Sequence, residues 1–136
     1  MHECLFCRIV SGDVPAERIY ENDGAVAFLD VTPAATGHTL VVPKVHAPTL
    51  TELDADSIGA VFRAVKAVMT KLTNALHPSA FHVGWNHGSA AGQHVFHLHV
   101  HIMPRNKPGP GIQSLGEGNA RRDLAGVGAL IRAAGD

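Results

Sequence analysis

Gln93-His94-Val95-Phe96-His97-Leu98-His99-Val100-His101-Ile102-Met103-Pro104-Arg105 is the stretch on which the reading of this chain turns. Successive side chains of an extended strand point to opposite faces. Phe96, Leu98, Val100 and Ile102 therefore share one face, and His97, His99 and His101 share the other, with neighbouring imidazoles roughly 6–7 Å apart. The apolar face is expected to join the core. Single histidines on a sheet usually face solvent, but three in register beside the glycine-containing loop Gly88-Ser89-Ala90-Ala91-Gly92 point to function. Two chemistries fit the row. Imidazoles two residues apart can share a zinc ion, or one can act as a nucleophile on phosphorus with its neighbours as proton donors. No HExxH pattern accompanies the row, and spacing alone does not choose between them.

The surrounding sequence predicts the frame. Arg18–Glu21 and Ala25–Asp30 flank Asn22-Asp23-Gly24 and read as an antiparallel hairpin. Val41 and Val42 help make His38–Pro43 a third strand, and Phe81, Val83 and Trp85 alternate with polar or small residues as a fourth. Between them Ile58, Val61, Phe62, Val65, Val68, Met69, Leu72 and Leu76 recur at three- and four-residue steps. This is one amphipathic helix over Asp54–Leu76, with Thr51 or Asp54 as N-cap and Pro78 beyond its end. A short helical turn over Leu5–Val10 precedes the hairpin. The segment Asn106–Gly118, with its prolines and glycines, reads as irregular, and a last helix is expected over about Asn119–Ala134, weakened by Gly126 and Gly128. The sum is a single α+β domain over residues 1–136, an antiparallel five-stranded sheet packed by one long helix.

Composition narrows the function classes. The 136 residues are 46% hydrophobic and 17% charged, enough apolar material for a core. A formal charge of −1 gives no electrostatic footprint for nucleic acid, and no apolar run is long enough for a membrane span. With no leader-like N-terminus, a cytoplasmic location is expected. Ten histidines are the outlier, because imidazole ligates metals and moves protons near neutral pH.

Cys4 and Cys7, the only two cysteines, are too close in sequence to staple distant parts of the chain. Their CxxC spacing is half of a tetrahedral zinc site and also that of thioredoxin-like motifs. Leu5-Phe6 between them, and their position ahead of the first strand, speak against the redox motif. Two small buried thiols are the third reading.

His97-Leu98-His99-Val100-His101-Ile102-Met103 resembles the signature of the histidine triad family at every position. The likeness continues upstream through Gly92-Gln93, Val83–Asn86, Gly37–His46 and Ala27–Asp30, covering about residues 4–105. The tail, 106–136, diverges and lacks the Trp-Pro-Pro-Gly ending of the animal phosphoramidase branch. The resemblance implies the histidine triad fold, a homodimer with a ten-stranded sheet, and hydrolysis at the α-phosphate of a nucleoside 5′-phosphate derivative. A purine nucleoside phosphoramidase releasing AMP leads. A diadenosine polyphosphate hydrolase or nucleotidyl transferase, and a non-catalytic nucleotide- or zinc-binding regulator, are the alternatives. It further implies His99 as nucleophile, His101 as donor to the phosphate oxygens and His94 near the leaving group. Asp30 would hold the ribose hydroxyls, Asn86 and the backbone around Gly92 and Gln93 the phosphate, and Phe6, Phe28, Val31 and Leu40 the base. Bacterial relatives with an N-terminal CxxC imply a structural zinc on Cys4, Cys7, His46 and His97. His2, His77, His82 and His87 are read as surface or satisfied polar residues, and His38 as structural.

Overall fold

The computed structural model describes residues 3–106 and 120–134. The first helix, α1 (Leu5–Ser11), starts where Cys4 adopts an extended conformation and its Sγ accepts a hydrogen bond from Cys7 N–H; it ends at Gly12, whose φ of 89° is the left-handed stop that glycine permits. Strands β1 (Arg18–Glu21) and β2 (Ala25–Leu29) form the expected hairpin, with a bulge between Arg18 and Tyr20. Asn22 organises the turn, its Oδ1 accepting from Gly24 N and Ala25 N while its Nδ2 donates to Ala60 O. Gly24 is required for close approach: a Cβ there would lie 2.7 Å from Ala60 Cβ.

Strand β3 (Thr39–Pro43) follows, then α2 (Ala55–Leu76), whose N-cap is Asp54, accepting from Ser57 N at 3.1 Å. Its apolar stripe, Ala60, Val61, Ala64, Val65, Val68 and Leu72, is buried against the sheet. Strands β4 (Ala80–Gly84) and β5 (Val100–Arg105) complete an antiparallel sheet in the order β1-β2-β3-β5-β4. Helix α3 (Leu124–Ala133) packs on α2 and β1 and is tied down by Arg132 to Glu17 Oε1 at 2.6 Å.

Two cores result. Ala25, Ala27, Leu29, Val41, Val100 and Ile102 face α2, whereas Val26, Phe28, Leu40 and Val42 face Phe6 and Ile9 of α1. The sheet is therefore clothed on both faces over β2 and β3, and α1 forms the outer wall of whatever lies between it and the strands.

Three expectations are corrected. The histidine-bearing strand begins at Val100, so His97 and His99 lie in the approach to β5 and only His101 lies within it. Leu98, Val100 and Ile102 are core as expected, but Phe96 is 48% exposed, because the chain bends ahead of Leu98. The last helix starts at Leu124, and residues 120–123 ahead of it are not helical. Apart from Asn106, the expected irregular segment Asn106–Gly118 falls outside the described residues, as does His2.

Candidate active site

Beneath α1 lies a cavity of about 450 Å³ lined by Phe6, Phe28, Asp30, Val31, Leu40, His94, His99 and His101 of the expected residues. Leu5, Ile9, Val14, Pro15, Ala16, Leu29, Thr32 and Val95 complete its lining. Its inner wall is apolar. Phe6 and Phe28 meet edge-on at 5.6 Å, and Phe6 stands 5.0 Å from the His99 ring in the same manner. Val31, at 75% exposed, is on the rim.

Hydrogen bonds to groups of fixed character assign the tautomers along this site. A backbone carbonyl can only accept, so His99 donates Nδ1–H to His97 O at 2.8 Å, and its Nε2 keeps a lone pair. Burial holds the His99 pKa below the usual histidine value, which keeps that lone pair free of a proton near neutral pH. A backbone N–H can only donate, so Ala34 N–H fixes His38 Nδ1 as an acceptor at 3.0 Å. His38 Nε2–H then donates to His101 Nδ1 at 2.9 Å, leaving His101 Nε2 as a donor. Burial, with the neighbouring histidines, pushes the His101 pKa down to about 4, so this is a neutral N–H donor. Asp30, His38 and His101 form a cluster compact enough to suggest a metal. The Ala34 N–H contact argues otherwise, since it leaves the His38 Nε2 that faces His101 protonated rather than free to ligate. Read as structural from sequence, His38 thus orients His101. The pairing of Leu40 with His101 brings this about, since residue 38 stands immediately ahead of β3 and two positions before Leu40, a neighbourhood that no local sequence pattern marks.

Asp30 serves its own turn and the cavity together. Oδ1 accepts from Thr32 N at 2.9 Å and Thr32 Oγ1 at 3.2 Å, while Oδ2 lies 3.6 Å from His38 Nε2. Asn86, Gly92 and Gln93 stand outside the cavity lining. Gln93 is 3% exposed; its Oε1 accepts from Gly88 N, and its Nε2 donates to Pro48 O and Val95 O. The N–H groups of Gly92 and Gln93 are also engaged, by Ser89 O and Gly88 O. Gly92, at φ 100°, packs on Asn86: a Cβ there would lie 3.2 Å from Asn86 Nδ2.

At the other end of α1, Cys4, Cys7, His46 and His97 place one ligating atom each within 4.8 Å of all the others. His97 is fully buried and donates Nε2–H to Pro43 O at 2.8 Å, so its Nδ1 bears a lone pair. Cys4 Sγ and Cys7 Sγ lie 3.4 Å from that nitrogen and His46 Nδ1 lies 3.3 Å from it. Three groups converge on one lone pair, an arrangement that a shared cation satisfies and hydrogen bonds alone do not. A tetrahedral zinc at ordinary bond lengths separates sulfur from nitrogen by about 3.6 Å and nitrogen from nitrogen by about 3.3 Å. The donor set fits. Burial and the neighbouring Cys4 push the Cys7 thiol up to about 11, and a metal held there would oppose that by favouring thiolate.

A family model described as the HIT domain matches residues 11–108. The chain belongs to the HIT family. This HIT chain is 41% identical, over 75% of its length and 74% of the relative's, to an adenosine 5′-monophosphoramidase of Schizosaccharomyces pombe. It is 37% identical to an adenylylsulfatase of Arabidopsis thaliana, over 78% of its own length and 54% of that protein's. Among solved structures, a zinc-bound histidine triad family protein from Mycobacterium smegmatis superposes with a TM-score of 0.82 at 36% identity, covering 96% of this chain and 91% of that one. Among the described residues no helix is long and apolar enough to cross a membrane.

Proposed function

We propose that this HIT protein is a nucleotide-binding hydrolase acting at the α-phosphate of nucleoside 5′-phosphate derivatives, foremost as a purine nucleoside phosphoramidase. The observation that carries the reading is the His99 tautomer, Nδ1–H held by His97 O and Nε2 free at the cavity. In the first step His99 Nε2 attacks phosphorus, the P–N bond to the amine breaks, and the amine leaves with a proton from His94. In the second, water attacks the nucleotidyl-histidine and gives its proton to His94, the Nε2–P bond breaks, and AMP is released with His99 and His94 restored. His101 Nε2–H donates to the phosphate oxygens as charge builds on them. Asp30 accepts from the ribose hydroxyls, and Phe6, Phe28, Val31 and Leu40 enclose the base. In this reading Gln93 and Gly92, with Asn86, shape the loop behind the phosphate.

The adenylylsulfatase relative favours a second leaving group for the same attack, sulfate in place of an amine. Zinc on Cys4, Cys7, His46 and His97 is proposed as structural: when bound it supplies four-fold cross-linking of α1 to the segment after β3 and to the approach to β5. A homodimer is proposed through the exposed side of α2 and the free edge of β4. Phe62, Met69 and Phe81 line an open groove there, and Phe62 packs on Trp85 at 5.8 Å.

AMP release from adenosine 5′-phosphoramidate, by wild-type and His99→Ala protein of equal folded concentration, tests the activity. Turnover that collapses in the variant supports it. Absence of turnover by the wild type on both the amidate and adenylyl sulfate contradicts the phosphoramidase reading and leaves polyphosphate substrates or a binding role.

A further inference from the structure

Helix α1 presents its thiols and the cavity wall from the same two turns. Cys4 and Cys7 face His46 and His97, whereas Leu5, Phe6 and Ile9 face the cavity. Seven residues make too short a helix to hold itself. Its position rests on the burial of Phe6 and Ile9, on the Arg18 guanidinium donating to Ile9 O and Val10 O, and, at its N-terminal end, on the cysteine–histidine cluster. Cys4 is the N-cap and Cys7 the third helical residue, with Cys7 N–H 3.4 Å from Cys4 Sγ, so both sulfurs lie over one turn and no more than 4.8 Å apart. A disulfide between them requires the two side chains to rotate so that the sulfurs close from that separation to about 2.05 Å. Both cysteines are only half-buried and His46 is exposed, leaving the cluster open to a dissolved oxidant. The sequence has no third cysteine to compete.

We propose that Cys4 and Cys7 are a reversible oxidation site whose disulfide expels the zinc and loosens the nucleotide pocket, an inference that rests on the zinc and nucleotide readings above. The oxidant is a hydroperoxide. One thiolate attacks the O–O bond, which breaks to give a sulfenic acid on the protein and an alcohol, or water from hydrogen peroxide. The second thiolate attacks the sulfenic sulfur; the S–S bond forms, the S–O bond breaks and the oxygen leaves as water. The balance is two thiolates, one hydroperoxide and two protons giving one disulfide, one alcohol and one water. A disulfide sulfur is no thiolate ligand, so His46 and His97 are left as the only donors and the ion departs. The tie between α1 and those two histidines goes with it. Phe6, between the cysteines, stands 5.0 Å from the His99 ring and 5.6 Å from Phe28, so a change in that turn reaches the pocket directly. This is a sensor built on a metal site and does not make the pair a thioredoxin-like catalyst.

The test uses zinc-loaded full-length protein, first shown in reduced form to bind zinc and AMP. Hydrogen peroxide is added with a chromogenic zinc chelator present. Zinc release, loss of two hydrogens from the peptide carrying Cys4 and Cys7, and AMP binding weaker by about tenfold, the weight of one aromatic wall contact, are expected. Dithiol reductant with added zinc reverses all three, which excludes irreversible unfolding. A Cys4→Ser/Cys7→Ser variant, its fold checked by circular dichroism, binds AMP with an affinity that peroxide leaves unchanged. Zinc release through sulfinic acid without a disulfide overturns the proposal, as does a disulfide that leaves the AMP affinity unaltered. Failure of the reduced protein to bind AMP at all would instead count against the nucleotide reading, whatever the zinc and mass measurements give.

Discussion

Replacing His38 by leucine separates the orienting role of this side chain from its place in the core. His38 is 5% exposed and connects Ala34 N–H to His101 Nδ1 through hydrogen bonds of 3.0 and 2.9 Å. Leucine fills the space but donates nothing, so His101 loses the partner that fixes its tautomer and its Nε2 is no longer held as a donor to the phosphate. Loss of one such donor in the transition state costs about 10²-fold in kcat, roughly 3 kcal/mol, with KM altered by less than about threefold. Leaving Ala34 N–H without an acceptor adds a stability cost of about 1–3 kcal/mol, which equal melting behaviour at the assay temperature must be shown not to confuse. Gln supplies the control, because its Nε2 occupies nearly the position of the imidazole Nε2 and donates to His101. His38→Gln is expected within about tenfold of wild type. The assay is steady-state AMP release from the phosphoramidate for wild type, His38→Leu and His38→Gln. Wild-type kcat in the leucine variant, or a glutamine variant no better than leucine, refutes the reasoning.

Acid lowers stability through His101: its folded pKa of about 4 lies below its ordinary 6.5, so the unfolded chain takes up the proton first and stability falls as pH drops from 6.5 towards 4. The loss between pH 7.5 and pH 5 is roughly 2 kcal/mol from this group, with His38 and His99 shifted in the same direction, and urea midpoints at the two values measure it. Leu72→Ala, at a fully buried position of α2 against Gly37, costs about 3 kcal/mol in urea unfolding while KM stays near wild type. Stripping zinc by chelation lowers the melting temperature, and Cys7→Ser abolishes the zinc stoichiometry; a chelator without effect on either zinc content or melting contradicts the four-ligand site.

How much the sequence disclosed depended on the range of the interactions. The α2 stripe and the β1–β2 hairpin are legible because both are written in local periodicity and turn chemistry, and of the N-cap candidates Thr51 and Asp54 the helix uses Asp54. The apolar face Leu98, Val100, Ile102 was legible for the same reason. Period two could not reveal that the chain bends ahead of Leu98, because Phe96 has the same composition whether it is buried or exposed. Nor could it assign His38, whose role exists only because β3 lies beside β5 in the sheet. The Gln93 side chain illustrates the same limit: its amide clamps the Gly88–Val95 loop to Pro48, a long-range bond that no local pattern encodes. The four zinc-site residues were proposed by resemblance, and the independent finding is that His97 Nδ1 has its lone pair turned towards the other three.

The central claim is that His99 Nε2 attacks phosphorus, and a covalent intermediate tests it most directly. Wild-type protein mixed with adenosine 5′-phosphoramidate, quenched on the turnover timescale and digested under alkaline conditions that preserve P–N bonds, is expected to carry an adenylyl group on the peptide containing His99. The group should be lost on mild acid treatment and absent from His99→Ala. Turnover with no adduct at any quench time, or an adduct on His94 or His101 instead, would contradict the account.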